Sequence, residues 1–255
     1  MIREIALLLV GVLLLAMIMG CVNNQDKNFN EAKTKTHDAV TPAKIPFEEV
    51  QEWYWPRQEE KKARLKEGNV DLLFVGNSIT HGWESTGKKY YEQYYAHRNV
   101  ANIGFGWDRT QHVLWRLNDY DFSNISPKVA VVMIGTNNSN GDDNTAEEIG
   151  DGIVAVCNKL HTQFPKMKIL LLAIFPRSPQ PDAQRAKCAK ASALASRIAD
   201  NQSIFYLDLT DKFLEPDGTI SPEIMPDYLH PNEEGYRIWA EAMEPVLVKL
   251  LGEEE

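Results

Sequence analysis

A serine, an asparagine, an aspartate and a histidine, each beside a turn, are the residues of this chain that could do chemistry together. Ser78 follows Gly76 and Asn77 at the end of the apolar run Leu72 to Val75. Asn137 lies in Gly135-Thr136-Asn137-Asn138, directly after the apolar run Val129 to Ile134. Asp227 and His230 stand three residues apart in Asp227-Tyr228-Leu229-His230-Pro231. A glycine-rich turn, Gly104-Phe105-Gly106-Trp107-Asp108, follows a further short apolar stretch. Acyl transfer needs a nucleophile, a base, a group that orients the base, and donors for an oxyanion. Ser78 can attack a carbonyl. His230 can take its proton, because imidazole titrates near neutral pH. Asp227 can accept from the other ring nitrogen and set the tautomer. The Asn137 side-chain NH₂, with backbone N–H groups of Ser78 and of the glycine turn, can hold the oxyanion.

Each residue also has a plainer reading. Ser78 could cap the helix that follows it. Asn137 could be a turn residue that tolerates unusual backbone angles. Asp-x-x-His before a proline is often a loop leading into a helix cap. The remaining histidines, His37, His81, His97, His112 and His161, read as surface or packing residues. His81 competes with His230 for the role of base, being three residues after Ser78, but no acid precedes it at a useful spacing.

The elements that would position these groups follow from hydrophobic pattern. Runs at Asp71–Val75, Asn99–Ile103, Val129–Ile134, Lys168–Phe175 and Ile204–Leu207 read as five strands. Gly76 lets the first strand end in a sharp turn. A nucleophile there stands where open α/β sheets place their ligands, and a following helix N-terminus would favour developing negative charge. Helices are expected at Phe47–Lys66, broken or kinked at Pro56, and at Tyr90–His97. The next contains Val113, Leu114 and Leu117, with Asp108 and Gln111 as a capping pair. Thr145 and Glu148 form a capping box ahead of the apolar face Ile149, Ile153, Val156, Leu160 and Phe164, which Pro165 ends. Ala183–Asp200 is a further helix, and Asn232 caps a last one through Leu251, kinked at Pro245. Strands alternating with helices, without hairpin signals, predict a parallel sheet with right-handed crossovers and helices on both faces. The ends of the first three strands then share one edge of the sheet.

The chain has 255 residues and a net charge of −9 without a basic run, which argues against a nucleic-acid partner. Its first 21 residues differ in kind. After Arg3, Ile5 to Ile18 is apolar apart from Gly11, too short for a comfortable membrane span, and reads as a signal-peptide core. Ile18-Met19-Gly20-Cys21 resembles a bacterial lipobox, which implies that Cys21 is lipidated and becomes the mature N-terminus. An uncleaved N-terminal anchor is the alternative. Either way the protein is expected to be exported and membrane-anchored, in a periplasm or at a cell surface. Residues 22–45 are polar and read as a disordered tether, leaving 46–252 as the folded domain. Cys157 and Cys188 fall in separate helices and read as small buried hydrophobes. No Cys/His spacing suggests a metal site.

The four blocks in order resemble the SGNH (GDSL) hydrolase family. Gly76-Asn77-Ser78 is similar to its first block, with Asn77 where Asp is frequent. Asn102 to Asp108 is similar to the second. Gly135-Thr136-Asn137-Asn138 is similar to the third, with Asn138 where many members have Asp, and Asp227 to Pro231 to the last. The resemblance spans roughly Val70 to Leu251. It is nearest to the platelet-activating-factor acetylhydrolase Ib catalytic subunits and their bacterial relatives, through Asp108–Leu117, Pro127–Asn138, Asn144–Gly152 and Asp227–Tyr236. It implies a three-layer α/β/α, flavodoxin-like fold with a five-stranded parallel sheet and neither metal nor other cofactor. It implies Ser78, Asp227 and His230 as a triad. The implied oxyanion donors are the Ser78 N–H, a second-block N–H and the Asn137 side chain. It also admits a homodimer. The second-block donor is commonly a glycine directly before the Asp; here that residue is Trp107, so Gly106 and Trp107 stay open as alternatives. If the position requires a positive φ, Trp107 is strained there. Its indole could also wall off the acyl pocket and favour short acyl groups.

The expected activity is a serine esterase that removes a short acyl group, acetyl above all, from a small-molecule or glycan ester. Carbohydrate esters are favoured because no long apolar segment is present to serve as a lipid-binding lid. The alternatives are a phospholipid with a short acyl chain, acyl transfer to another sugar, and a non-catalytic binding module on the same fold.

Overall fold

The structure is a computed structural model that describes residues 37–46, 48 and 51–253. The stretches expected to be a signal peptide ending at Cys21 and, up to Thr36, a tether lie outside the described residues.

The five expected strands form one sheet: β1 (Leu72–Gly76), β2 (Val100–Asn102), β3 (Val129–Met133), β4 (Lys168–Leu172) and β5 (Ile204–Leu207). Their order is β2-β1-β3-β4-β5 and every pair is parallel. Connecting them are α1 (Gln51–Lys66), α2 (Ser78–His81), α3 (Lys88–Tyr94), α4 (Thr110–Asp119), α5 (Ala146–Gln163), α6 (Ala183–Ala195) and α7 (Glu233–Leu251).

Alternation along each strand builds two cores. Leu73, Val75, Ala130, Val132, Ile169 and Leu171 pack with α4, α5 and α6. Leu72, Phe74, Val129, Val131, Leu170 and Leu172 pack with Trp83, Tyr95 and the α7 residues Tyr236, Trp239 and Met243. Helices therefore cover both faces, in three layers. A strand buried on both sides needs a continuous apolar run, which is why each was visible in the sequence.

The sequence order of the strands reverses at β1, between β2 and β3. That makes a crevice at the carboxyl ends of β1 and β3, the position where open α/β sheets bind ligands. Register places Gly76 opposite Met133, so the loops after β1 and β3 leave the sheet at one level. Only glycine fits at 76. A Cβ there would stand 2.4 Å from the Met133 carbonyl oxygen and 2.1 Å from Thr80 Oγ1.

Helix α7, capped by Asn232 as expected, spans Pro245 and is ended by Gly252 in the left-handed conformation. Three local expectations change. Helix α1 runs unbroken through Pro56, which is exposed, as is Glu52 one turn before it. Asp108 does not cap α4; Arg109 occupies the cap position and Asp108 is buried in an ion pair. Residues 37–45, polar enough to read as tether, are seated on the domain. Ala39 and Ile45 are buried. Asp38 accepts from Asn144 Nδ2 at 2.6 Å and Gln111 Nε2 at 3.2 Å. Thr110 Oγ1 donates to the Ala39 carbonyl at 2.7 Å.

Candidate active site

Asn77, not Ser78, caps the helix after β1. Its Oδ1 accepts from the Ile79 N–H at 3.0 Å, and its side chain is buried. Ser78 is thereby released from capping. As the first residue of α2, its own N–H has no intrahelical acceptor. Helix α2 is a single turn of four residues, so any dipole it contributes is small.

Ser78 Oγ lies 2.9 Å from His230 Nε2, and His230 Nδ1 lies 2.6 Å from Asp227 Oδ2. Asp227 Oδ1 also accepts the backbone N–H groups of Leu229, at 3.1 Å, and His230, at 2.7 Å. The carboxylate therefore holds both the ring and the loop that carries it. Burial pulls the Asp227 carboxyl upward, but hydrogen bonds from the His230 ring and backbone outweigh that and keep it below the usual carboxylate range. An ionised Asp227 places the ring proton on Nδ1 and leaves Nε2 as an acceptor toward the Ser78 hydroxyl. The loop is fixed from behind where the Ser178 N–H donates to the Tyr228 carbonyl at 2.9 Å. Tyr236, in the first turns of α7, donates to the Ile79 carbonyl at 2.6 Å, joining the helix after the histidine to the helix that carries the serine.

Asn137 is buried, with 7% of its surface exposed, in the short 3₁₀ turn after β3. Its Nδ2 donates one hydrogen bond, to the Asp108 carbonyl at 2.9 Å. That bond uses one amide hydrogen and fixes the plane of the amide; the NH₂ carries a second. Asn138, beside it, is wholly buried. It accepts from the Thr110 N–H at 3.0 Å and donates to Asn144 Oδ1 and Gln111 Oε1, each at 2.9 Å.

The glycine turn is clamped by α1. Arg57 Nη2 and Nε donate to the Gly104 carbonyl at 2.9 and 3.1 Å. Tyr54 donates to Asp108 Oδ1 at 2.8 Å, Arg116 pairs with Asp108 Oδ2, and the Arg116 guanidinium stacks 3.4 Å from the Phe105 ring centre. Burial pushes the Asp108 carboxyl up to about 6 against the pull of Arg116. Burial works against the charge on Arg116, but the Asp108 carboxylate beside it outweighs that and keeps the guanidinium protonated.

Within this turn Trp107 has φ +67 and its side chain is 54% exposed. A tryptophan in the left-handed region is held there against its own preference, by the fixed residues on either side. The Gly106 N–H donates to His81 Nδ1 at 3.4 Å. His81, the competing base, is thus occupied by the turn, and burial depresses its pKa to about 4. Cys157 and Cys188 are buried and free.

Sequence reasoning did not find the Tyr54–Asp108–Arg116 cluster, the Arg57 clamp or the role of Asn138. The usable signal was polar residues clustered at two strand ends, Asp108 to Gln111 and Thr136 to Ser139, more than two turns could absorb alone.

Residues 74–238 match the model of the GDSL-like Lipase/Acylhydrolase family. The platelet-activating factor acetylhydrolase IB subunit alpha2 of Homo sapiens is 35% identical over 189 residues, covering 74% of this chain and 80% of that one. A GDSL-like lipase from Bacteroides thetaiotaomicron shares the fold with a TM-score of 0.59 at 22% identity, over 76% of this chain and 97% of that one. A carbohydrate acetylesterase from Sinorhizobium meliloti gives 0.57 at 18% identity, over 71% and 99%.

Proposed function

The chain belongs to the GDSL-like lipase/acylhydrolase family and is a carboxylic ester hydrolase; from the geometry above we propose that it cleaves short acyl esters, acetyl esters foremost, with Ser78, His230 and Asp227 as its triad. The observation that carries this reading is the continuous relay from Ser78 Oγ through His230 to Asp227, at 2.9 and 2.6 Å.

Ser78 Oγ attacks the ester carbonyl as His230 Nε2 takes its proton. Asp227 stabilises the imidazolium that results, and the tetrahedral oxyanion is held by the Ser78 N–H, the Trp107 N–H and Asn137 Nδ2. Trp107 is chosen over Gly106 because the Gly106 N–H already serves His81. His230 then gives its proton to the leaving alcohol, and water, activated by the same imidazole, releases the acid. Membership of a hydrolase family removes the non-catalytic alternative.

For the alcohol half we favour a carbohydrate. The triad loop is open, with Asp227 and His230 side chains 56% and 42% exposed, and the glycine turn that carries the proposed backbone donor presents an exposed indole, Trp107. A short-acyl phospholipid is the second reading, favoured by the 35% identity to the acetylhydrolase subunit.

The test is release of p-nitrophenol from acetate, butyrate and octanoate esters by the wild type and by Ser78→Ala, with circular dichroism to confirm folding. Activity that is greatest on acetate and lost in the variant supports the reading. A folded wild type without activity, or an equally active variant, overturns it.

A further inference from the structure

A cleft of about 400 Å³ lies against the end of helix α2, the helix that Ser78 begins, and none of the steps above uses it. It is lined by Trp53, Pro56, Arg57, Glu60 and His81. His81 closes the single helical turn that Ser78 opens, so one wall of the cleft is one turn away from the nucleophile. The Trp53 ring lies 5.6 Å from the His81 ring at an interplanar angle of 39°. It also reaches the glycine turn, for a Cβ on Gly106 would stand 3.0 Å from Trp53 Cη2. Gly106 thus lets the indole lie against the turn that precedes the oxyanion donors.

We propose that this cleft binds the alcohol half of the substrate and that it is built for a pyranose ring bearing the ester. The proposal rests on the esterase reading above and deepens it. A pyranose offers an apolar face and a rim of hydroxyls that each donate and accept. The cleft offers the matching set: a half-buried indole, a carboxylate acceptor and a neutral ring donor. Glu60 is the acceptor, with its side chain largely in solvent. His81 is the donor. Its Nδ1 accepts from Gly106, which leaves the ring proton on Nε2. Burial keeps that ring uncharged at neutral pH.

The same residues speak against a phosphate-bearing headgroup. A phosphate site would present unpaired cations. Both cations here are already paired, and Glu84 and Glu60 together balance their charge. Arg57 Nη1 pairs with Glu84 at 2.5 Å and Lys61 Nζ at 2.8 Å, and Lys61 also bonds Glu60 at 2.8 Å. The Glu60 carboxylate would repel a phosphate. The cleft holds charge in balance, which suits a neutral polyol.

The experiment compares kcat/KM of the full chain on p-nitrophenyl acetate, on xylopyranose tetraacetate and on a 2-acetyl glycerophosphocholine. In Trp53→Ala the ratio of sugar acetate to nitrophenyl acetate should fall about tenfold, mostly through KM, and Trp53→Phe should restore most of it. The ratio to the phospholipid should fall as well. A ratio within about twofold of wild type in a folded Trp53→Ala overturns the subsite while leaving a Ser78-dependent esterase standing. An equal loss on the phospholipid overturns the sugar assignment. Failure of the wild type on all three substrates overturns the esterase reading itself. Should Trp53→Ala not fold, Glu60→Ala on the exposed side of the cleft reads the same ratio, and an unchanged ratio there overturns the subsite.

Discussion

Asn137 Nδ2 donates to the Asp108 carbonyl over 2.9 Å, so the loop after β3 is tied to the turn after β2 across the end of β1, where Ser78 emerges. The bond couples two of the proposed oxyanion donors: moving the Asn137 amide moves the turn that carries the Trp107 N–H. Asn137→Ala should therefore lower kcat on p-nitrophenyl acetate by about 10²–10³ with little change in KM. Asn137→Asp, which has no donor, should be no better. A loss under about tenfold in both variants would remove Asn137 from the hole.

Asp227→Asn should leave His230 in place but invert the tautomer preference of its ring. A loss in kcat on the order of 10³ is expected, short of the 10⁴ seen for a fully buried triad carboxylate, because this one is 56% exposed and water can share its task. Steady-state kinetics on acetate esters check it. Retention of more than about a tenth of the activity would mean that the pair merely shapes the loop.

Trp107→Gly should do two things at once. It relieves a left-handed backbone at φ +67, worth about 1–2 kcal/mol, and gives back part of that through the entropy of the unfolded glycine. The net rise, about 0.5–1 kcal/mol, corresponds to a gain of a few degrees in Tm. With the indole gone, the fall of activity from acetate to octanoate should flatten. An unchanged chain-length profile counts against the indole as a wall of the acyl pocket, whatever Tm does.

His112 supplies a stability that depends on pH. Its ring is buried and accepts the Arg109 N–H at 3.2 Å; burial lowers its pKa to about 4. The unfolded chain binds a proton as pH falls through about 6.5 while the folded ring stays neutral, so stability is complete above 6.5 and is lost toward pH 4. His81, depressed by burial in the same way, adds to this loss, and Asp108, raised by burial, opposes it. The measurement is therefore a difference. Urea unfolding of wild type and His112→Gln should show the wild type losing about 2–3 kcal/mol more between pH 6.5 and 4.5. Parallel curves would refute the buried neutral ring.

The strands and the pairing of Ser78 with His230 were legible because each depends on something one sequence displays. A strand buried on both faces must be apolar throughout, and a residue past its end must lie at the sheet edge. What was hidden depends on pairs distant in sequence. Asp108 looks like a cap because acids before helices usually are; that it turns inward follows from Arg116 and Tyr54, which nothing local announces. The stretch 37–45 looks like linker because side-chain to backbone bonds such as Thr110 to Ala39 leave no apolar pattern. Pro56 looks like a break, yet it lies on the exposed side of α1, one turn after an exposed Glu52, and the helix continues through it.

The Ser78–His230 contact joins residues separated by 152 positions. At roughly 5–20 residues per second, a ribosome that has finished Ser78 needs about 8–30 s more to make its proposed base. During that time β1 to β5 and the helices between them can emerge and pack, but the growing chain carries a serine with no partner. On the proposed triad, hydrolysis is thus withheld until translation has passed His230, and a product that stops before it lacks the proposed base.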